Sequence, residues 1–286
     1  MKKKTYKILI VIIFLAGLSL LLYPLVANQW NNHRQKQLIS NYESVVADKE
    51  AAGNIDYAAE MKKAEAYNDA LLPSILPDSF AVAEAQTEAD SSYENSLNIA
   101  GDGMMGIVEI PKIDIKLPIY HGTSEAVLQA GVGHFWGTSL PVGGESTHTV
   151  LTGHRGLPTK TLFTNMDKLE VGDIFYIKVL DETLAYQIDQ ILTVLPEETD
   201  GLSIESGKDY ATLVTCTPFA INTHRLLVRG ERIPYEEATK QEPDTNIKPE
   251  LSFTAKVLIV TIIVIFIGLL IAVIYSIRDR KRRKVR

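Results

Sequence analysis

The chain has 286 residues, 46% of them hydrophobic and 22% charged, with 18 Gly, 12 Pro and one Cys. These values exclude a collagen-like or low-complexity chain, and the single Cys excludes a disulfide framework or a multi-Cys zinc module. The net charge of −6 argues against a general nucleic-acid binder, while a mean hydropathy of +0.04 in so charged a chain means that apolar residues are concentrated somewhere.

They are concentrated at the two ends. Ile8 to Val26 carries no charge over 19 residues and follows Lys2, Lys3, Lys4 and Lys7. Val257 to Ile277 carries none over 21 and precedes Arg278, Arg280, Lys281, Arg282, Arg283, Lys284 and Arg286. About 20 apolar residues cross a bilayer as one helix. The first run is longer than the ~7–15 apolar residues of a cleaved signal, so it reads as a retained anchor. The alternative is cleavage close to Leu25 and Ala27. Cations at the outer ends of both runs place both termini in the cytoplasm and everything between them outside. Residues 28–255, leaving out Lys256 at the membrane edge, carry 17 Lys and Arg against 34 Asp and Glu, a net charge of −17. The two tips hold 11 cations and one acid. This is the charge pattern of membrane topology, with no sign of nucleic acid as a partner.

Residues 29–72 read as helix, because Trp30, Leu38, Tyr42, Val45 and Val46 recur at helical spacing among polar residues. Gly53-Asn54 breaks the run, and a second, Ala-rich helix runs from about Ile55 to Leu72, before Pro73. The plain expectation for this piece is a stalk that holds the next domain off the membrane. Residues 73–103 lose periodicity and read as a long loop of the kind that serves as lid or linker.

From Met104 the pattern turns to strands. Ile113, Ile115, Leu117 and Ile119 alternate with Asp114, Lys116 and Pro118, and strand-like runs follow at 147–153, 173–180, 184–194, 211–217 and 225–233. Six or more short strands in about 130 residues predict a closed barrel or a sandwich. Residues 235–250 are polar and acidic and read as a linker. The chain thus divides into a basic tip (1–7), an apolar segment (8–27), helices and loop (28–103), a β domain (104–234), an acidic linker (235–255), a second apolar segment (256–277) and a basic tail (278–286).

Cys216 is either a small buried hydrophobe or a working thiol. It ends a β-branched strand just before Thr217-Pro218, and Arg225 opens another strand nine residues on. Thiol chemistry needs a cation or imidazolium to populate the thiolate, a group for the oxyanion, and a general acid–base. Six histidines compete for the last role. His33 lies in the stalk helix, and His121 and His134 lie in Gly-flanked loops as solvated or capping imidazoles. His224 points to the face opposite Arg225. His148 and His154 share a face, and His154 alone reaches the strand end. Arg225 and Arg229 also share a face, about 13 Å apart, and Arg155 is a third candidate cation. Pattern alone leaves these choices open. A Cys–His metal site lacks paired ligands at short spacing.

Thr212-Leu-Val-Thr-Cys216-Thr-Pro218, followed by Asn222-Thr-His-Arg225-Leu-Leu-Val-Arg-Gly230, resembles the sortase signature around the active-site cysteine and arginine. Leu151-Thr-Gly-His154-Arg-Gly156 resembles the family's histidine motif, and Ile119-Tyr-His-Gly122 with Gly131-Val-Gly-His134 its earlier strands. The resemblance spans about Gly106 to Ile233. It implies a mainly β fold, a closed eight-stranded sortase barrel with short helices, and a catalytic triad of His154, Cys216 and Arg225 with no cofactor and no metal. It also implies cleavage of an LPxTG-like sorting signal between Thr and Gly through a thioacyl-enzyme. The two apolar segments and the long stretch before the barrel resemble class C, the pilus-assembling sortases of Gram-positive bacteria, whose acceptor is a lysine of the next pilin subunit. In that class the stretch is a lid bearing an Asp-Pro-aromatic motif. The match here is Asp78-Ser79-Phe80, with Ser in place of Pro, so that Phe80 covers the Cys216 sulfur and Asp78 pairs with Arg225. Partners so implied are pilin subunits and the lipid bilayer, the protein being a two-helix membrane protein with its barrel outside. The alternatives are a housekeeping-type sortase acting on a peptidoglycan precursor and a non-catalytic membrane-tethered scaffold.

Overall fold

The computed structural model describes residues 3–71 and 91–240, together with 260–262 and 265. The chain divides into two compact units, residues 1–29 with 248–286, and residues 30–247. In the first, residues 3–29 are helical and Ile12, Ile13, Leu15, Leu20 and Val26 are exposed. An 18-residue window within Ile12–Ala51 averages a hydropathy of 1.7 with none of it buried, which makes this the one helix among the described residues long and apolar enough to cross a membrane. The apolar segment at 256–277 lies almost wholly outside the described residues, as do Asp78 and Phe80.

The second unit takes in the C-terminal half of α1 (Lys3–Ala51) and α2 (Tyr57–Ala70). They meet at the expected break: Gly53 has φ +67°, which glycine adopts without a Cβ penalty, and the Asp56 side chain accepts from the Ala59 N–H to cap α2. Ile39, Tyr42 and Val46 lie one turn apart on α1 and bury against Met104 and Ile107. The helices expected as a stalk are present, and their apolar face lies on the β domain. The Asn68 side chain of α2 grips the backbone of Leu140 twice, donating to its C=O (3.2 Å) and accepting from its N–H (2.7 Å). Past the undescribed stretch, α3 (Ser91–Glu94) carries Tyr93, 4% exposed, into the core.

Eight strands follow: β1 (Met104–Ile110), β2 (Ile115–His121), β3 (Val132–His134), β4 (Thr147–Thr152), β5 (Ile174–Val179), β6 (Glu182–Val194), β7 (Asp209–Thr217) and β8 (His224–Ile233). They close in the order β1-β2-β3-β4-β7-β8-β6-β5, which leaves no strand edge open. The pairs β2/β3 and β4/β7 are parallel and the other neighbours antiparallel. A short helix, α4 (Glu125–Ala130), links β2 to β3. Alternation sorts the side chains: Leu151 of β4, Ala211 and Leu213 of β7, and Leu226 and Val228 of β8 fill the barrel with Phe175 and Tyr186. The opposite parity, Val150, Val214 and Leu227, packs outside the barrel under Leu202 of the β6–β7 connection. That connection covers part of the outer β4–β7–β8 face.

Candidate active site

Strand pairing sets the neighbours of Cys216. In the antiparallel β7/β8 ladder Cys216 stands opposite Arg225. In the parallel β4/β7 ladder Thr152 stands opposite Val214. The pairing continues past β4, because the Gly153 N–H donates to the Val214 C=O (3.0 Å) and the Thr215 hydroxyl to the Gly153 C=O (2.7 Å). His154 follows two residues after Thr152, and Cys216 two residues after Val214. Cys216 and Arg225 share the parity of Val214 and Leu227, so both belong to the outer face at one end of the ribbon. Gly153 lets the Phe163 ring pack against this turn: a Cβ there would sit 2.6 Å from the ring.

The histidine is held from the side. Its Nε2 lies 3.3 Å from Oε2 of Glu125, and its side chain is 20% exposed. Glu125 opens α4, whose first turn is capped by Ser124, and its other oxygen accepts from the Gln129 amide at 2.7 Å. That hydrogen bond, and then the facing imidazole, hold the Glu125 carboxyl below its ordinary range against the opposing effect of burial. Arg225 Nη1 donates to the carbonyls of Asn222 (3.3 Å) and His224 (3.2 Å), so its own loop steers the guanidinium. Cys216 is half-buried.

The rival cations are engaged with carboxylates elsewhere. Arg229 makes a two-pronged pair with Asp189 (2.7 and 3.1 Å), a further pair with Glu205 (3.0 Å), and stacks on Tyr210 at 4.1 Å. A bulge in the β6/β8 ladder next to Asp189 aims that carboxylate. Arg155 pairs with Asp167 (2.8 Å) and donates to the Thr217 hydroxyl (3.0 Å).

The other histidines divide differently from the sequence expectation. His134, expected in a solvated loop, is wholly buried in β3, with Nδ1 2.9 Å from the Tyr93 hydroxyl and Nε2 2.8 Å from the Ser139 C=O. Burial lowers its pKa to about 4, so the neutral ring accepts from Tyr93 and donates to Ser139. His121 ends β2 with its ring nitrogens facing the carbonyls of Gly103 and Ser96. His148 does share the outer face and is held there by Ser203 and Thr212. Sequence reasoning passed over Glu125. Only the Ser124 cap before it marks a helix start, and a separation of 29 residues from His154 leaves no periodicity to read.

A thiol, an imidazole beside a carboxylate, and a guanidinium at one strand end can generate a nucleophile, move a proton and hold an oxyanion. The Sortase domain family model matches residues 108–233. Among solved structures, Sortase C of Streptococcus pneumoniae is 48% identical with a TM-score of 0.62; the alignment covers 70% of this chain and 97% of that one. The pilus-related Sortase C of Group B Streptococcus is 45% identical with a TM-score of 0.56, over 66% of this chain and 96% of that one. Among curated relatives, Sortase D of Bacillus subtilis (strain 168) is 33% identical over 131 residues, 45% of this chain and 63% of that protein. Barrel and similarities together define a cysteine transpeptidase. The chain belongs to the sortase family.

Proposed function

We propose that this protein is a class C sortase that polymerises pilin subunits. The thiolate of Cys216 attacks the Thr carbonyl of an LPxTG-like sorting signal, and the Arg225 guanidinium holds the resulting oxyanion. The His154 imidazolium gives its proton to the departing Gly amine, which leaves the Thr acyl group on sulfur and a neutral imidazole. A lysine amine of another pilin then attacks the thioester. His154 takes the amine proton, the new amide forms, and Cys216 leaves as thiolate. Asp78 and Phe80 act as the lid over this site. The protein is anchored by two membrane helices, at 8–27 and 256–277, with both tips in the cytoplasm and the barrel outside.

The observation that supports this reading is the pairing of Cys216 with Arg225, at the strand end beyond which β4 leads on to His154. The 48% identity to a Sortase C over 97% of its length supports the class. Incubation of the full chain with an LPxTG-containing peptide, followed by intact mass analysis, tests the nucleophile. A thioacyl adduct is expected on the native chain and none on Cys216→Ala; an adduct that persists in the variant overturns the assignment.

A further inference from the structure

The β4–β5 connection, which contains His154, touches two things that bear on where this end of the barrel sits. The Asn31 amide donates to the Thr159 C=O at 3.0 Å. Three residues earlier, Gly156 has the Phe219 ring against it, so close that a Cβ there would lie 3.0 Å from the ring. Phe219 and Ile221 belong to the β7–β8 loop, directly after Cys216, and are 52% and 67% exposed. Trp30, next to Asn31, is 65% exposed. Three large apolar side chains are thus exposed around one loop, at the end of the barrel that carries the thiol.

Chain length says what lies nearby. The uncharged run ends at Val26, four steps before Trp30, and four extended residues reach at most about 14 Å. Trp30 therefore stays within that distance of the end of the apolar run in any arrangement of the two units. A Trp just beyond an apolar span has the place of an interfacial anchor, its ring among the lipid headgroups. Charge points the same way. Arg34 and Lys160 lie at this corner, near enough that Arg34 adds to the effect of burial in pulling the Lys160 pKa down. The outer part of the chain carries −17 overall, so a bilayer with anionic headgroups repels it everywhere except where cations gather.

We infer that Trp30, Phe219 and Ile221 form a lip that dips into the headgroup and acyl boundary of the lipid bilayer and holds the Cys216 end of the barrel against the membrane. Interfacial apolar side chains enter that boundary by about 5–10 Å. The occupant is lipid rather than a second copy or a protein partner, because an apolar span begins within four residues of the lip and cannot leave the membrane. The inference goes beyond the transpeptidase reading and rests on residues 8–26 being a membrane span.

The test uses the full chain with Cys216→Ala and Ile221→Cys, labelled at 221 with the fluorophore NBD. It is reconstituted into phosphatidylcholine–phosphatidylglycerol vesicles whose acyl chains are brominated or not. A second chain labelled through Glu145→Cys, on the β3–β4 loop at the other end of β4, is the control. The expected result is blue-shifted emission at 221 that loses most of its intensity in brominated vesicles, with the signal at 145 unchanged; Phe219→Ser together with Trp30→Ser should restore the emission at 221. Emission at 221 that bromine leaves untouched, as at 145, overturns the lip, and so does energy transfer between two labelled copies in place of quenching. Flotation of the same vesicles separates the causes. Protein that floats without quenching removes the lip alone, whereas protein that stays at the bottom removes the membrane span, and the lip with it.

Discussion

A thiol one residue from the end of a strand gains a chemical neighbour from pairing alone. Cys216 has Arg225 across the β7/β8 ladder, and the β4/β7 ladder ends two residues before it, at Val214. What pairing does not supply is the orientation of the imidazole, and that comes from Glu125 on a different element. The Glu125 carboxylate lies 3.3 Å from the His154 ring nitrogen and so fixes which way the imidazole faces. Glu125 is 70% exposed, and an exposed ion pair is worth about 0.2–1 kcal/mol, so Glu125 acts as a positioning residue with a modest effect. Glu125→Gln should lower kcat/KM about two- to fivefold. Glu125→Asp, which keeps the carboxylate, should recover part of the loss. Unchanged kcat/KM, with loss only in thermal stability, would restrict Glu125 to opening α4. At this scale Cys216 was legible from its uniqueness and its strand. His154 and Arg225 were narrowed by face and are proposed by resemblance. Glu125 was invisible, because a side-chain contact between distant segments leaves no period in the chain.

Among the elements, the strands that failed to announce themselves share a physical reason. Met104–Ile110 lacks alternation because both its faces are covered, by the barrel interior and by the Ile39, Tyr42 and Val46 face of α1. Val132–His134 is three residues long, shorter than any periodic window, and its glycines read as loop. His134 was misplaced for the same cause, since the side chain that covers it, Tyr93, arrives from 41 residues away. The six strands that were read, at 113–119, 147–153, 173–180, 184–194, 211–217 and 225–233, match β2 and β4 to β8 within a few residues. The same contacts fix both flanks of the proposed lid. Asn68 holds one side through two hydrogen bonds with buried backbone, and Tyr93 holds the other through His134 and the Gly122 N–H (3.0 Å). Leaving such a buried partner unsatisfied costs about 1–3 kcal/mol, so the flanks are the harder part to move. If Asp78 and Phe80 cover the site between these fixed points, Asp78→Ala with Phe80→Ala should raise the alkylation rate of Cys216 severalfold at constant fold stability. Alkylation at the native rate would contradict a covering role.

For the molecule as a whole, averages of the chain conceal its layout. A net charge of −6 is an outer −17 offset by basic tips, and a hydropathy near zero is a polar barrel unit joined to long apolar ends. The closed barrel frames the proposed site, since eight strands without an edge hold the Cys216–Arg225 pair in register. Class membership rests on what that frame is used for. The most direct measurement is co-expression of the full chain with a pilin subunit bearing an LPxTG-like signal, read as the size of the pilin after boiling in detergent. The account predicts a covalent ladder of pilin multimers with the native chain, and pilin monomer alone with Cys216→Ala. A ladder that survives in the Cys216→Ala chain, or pilin that stays monomeric beside a native chain able to form the thioacyl adduct, would contradict it.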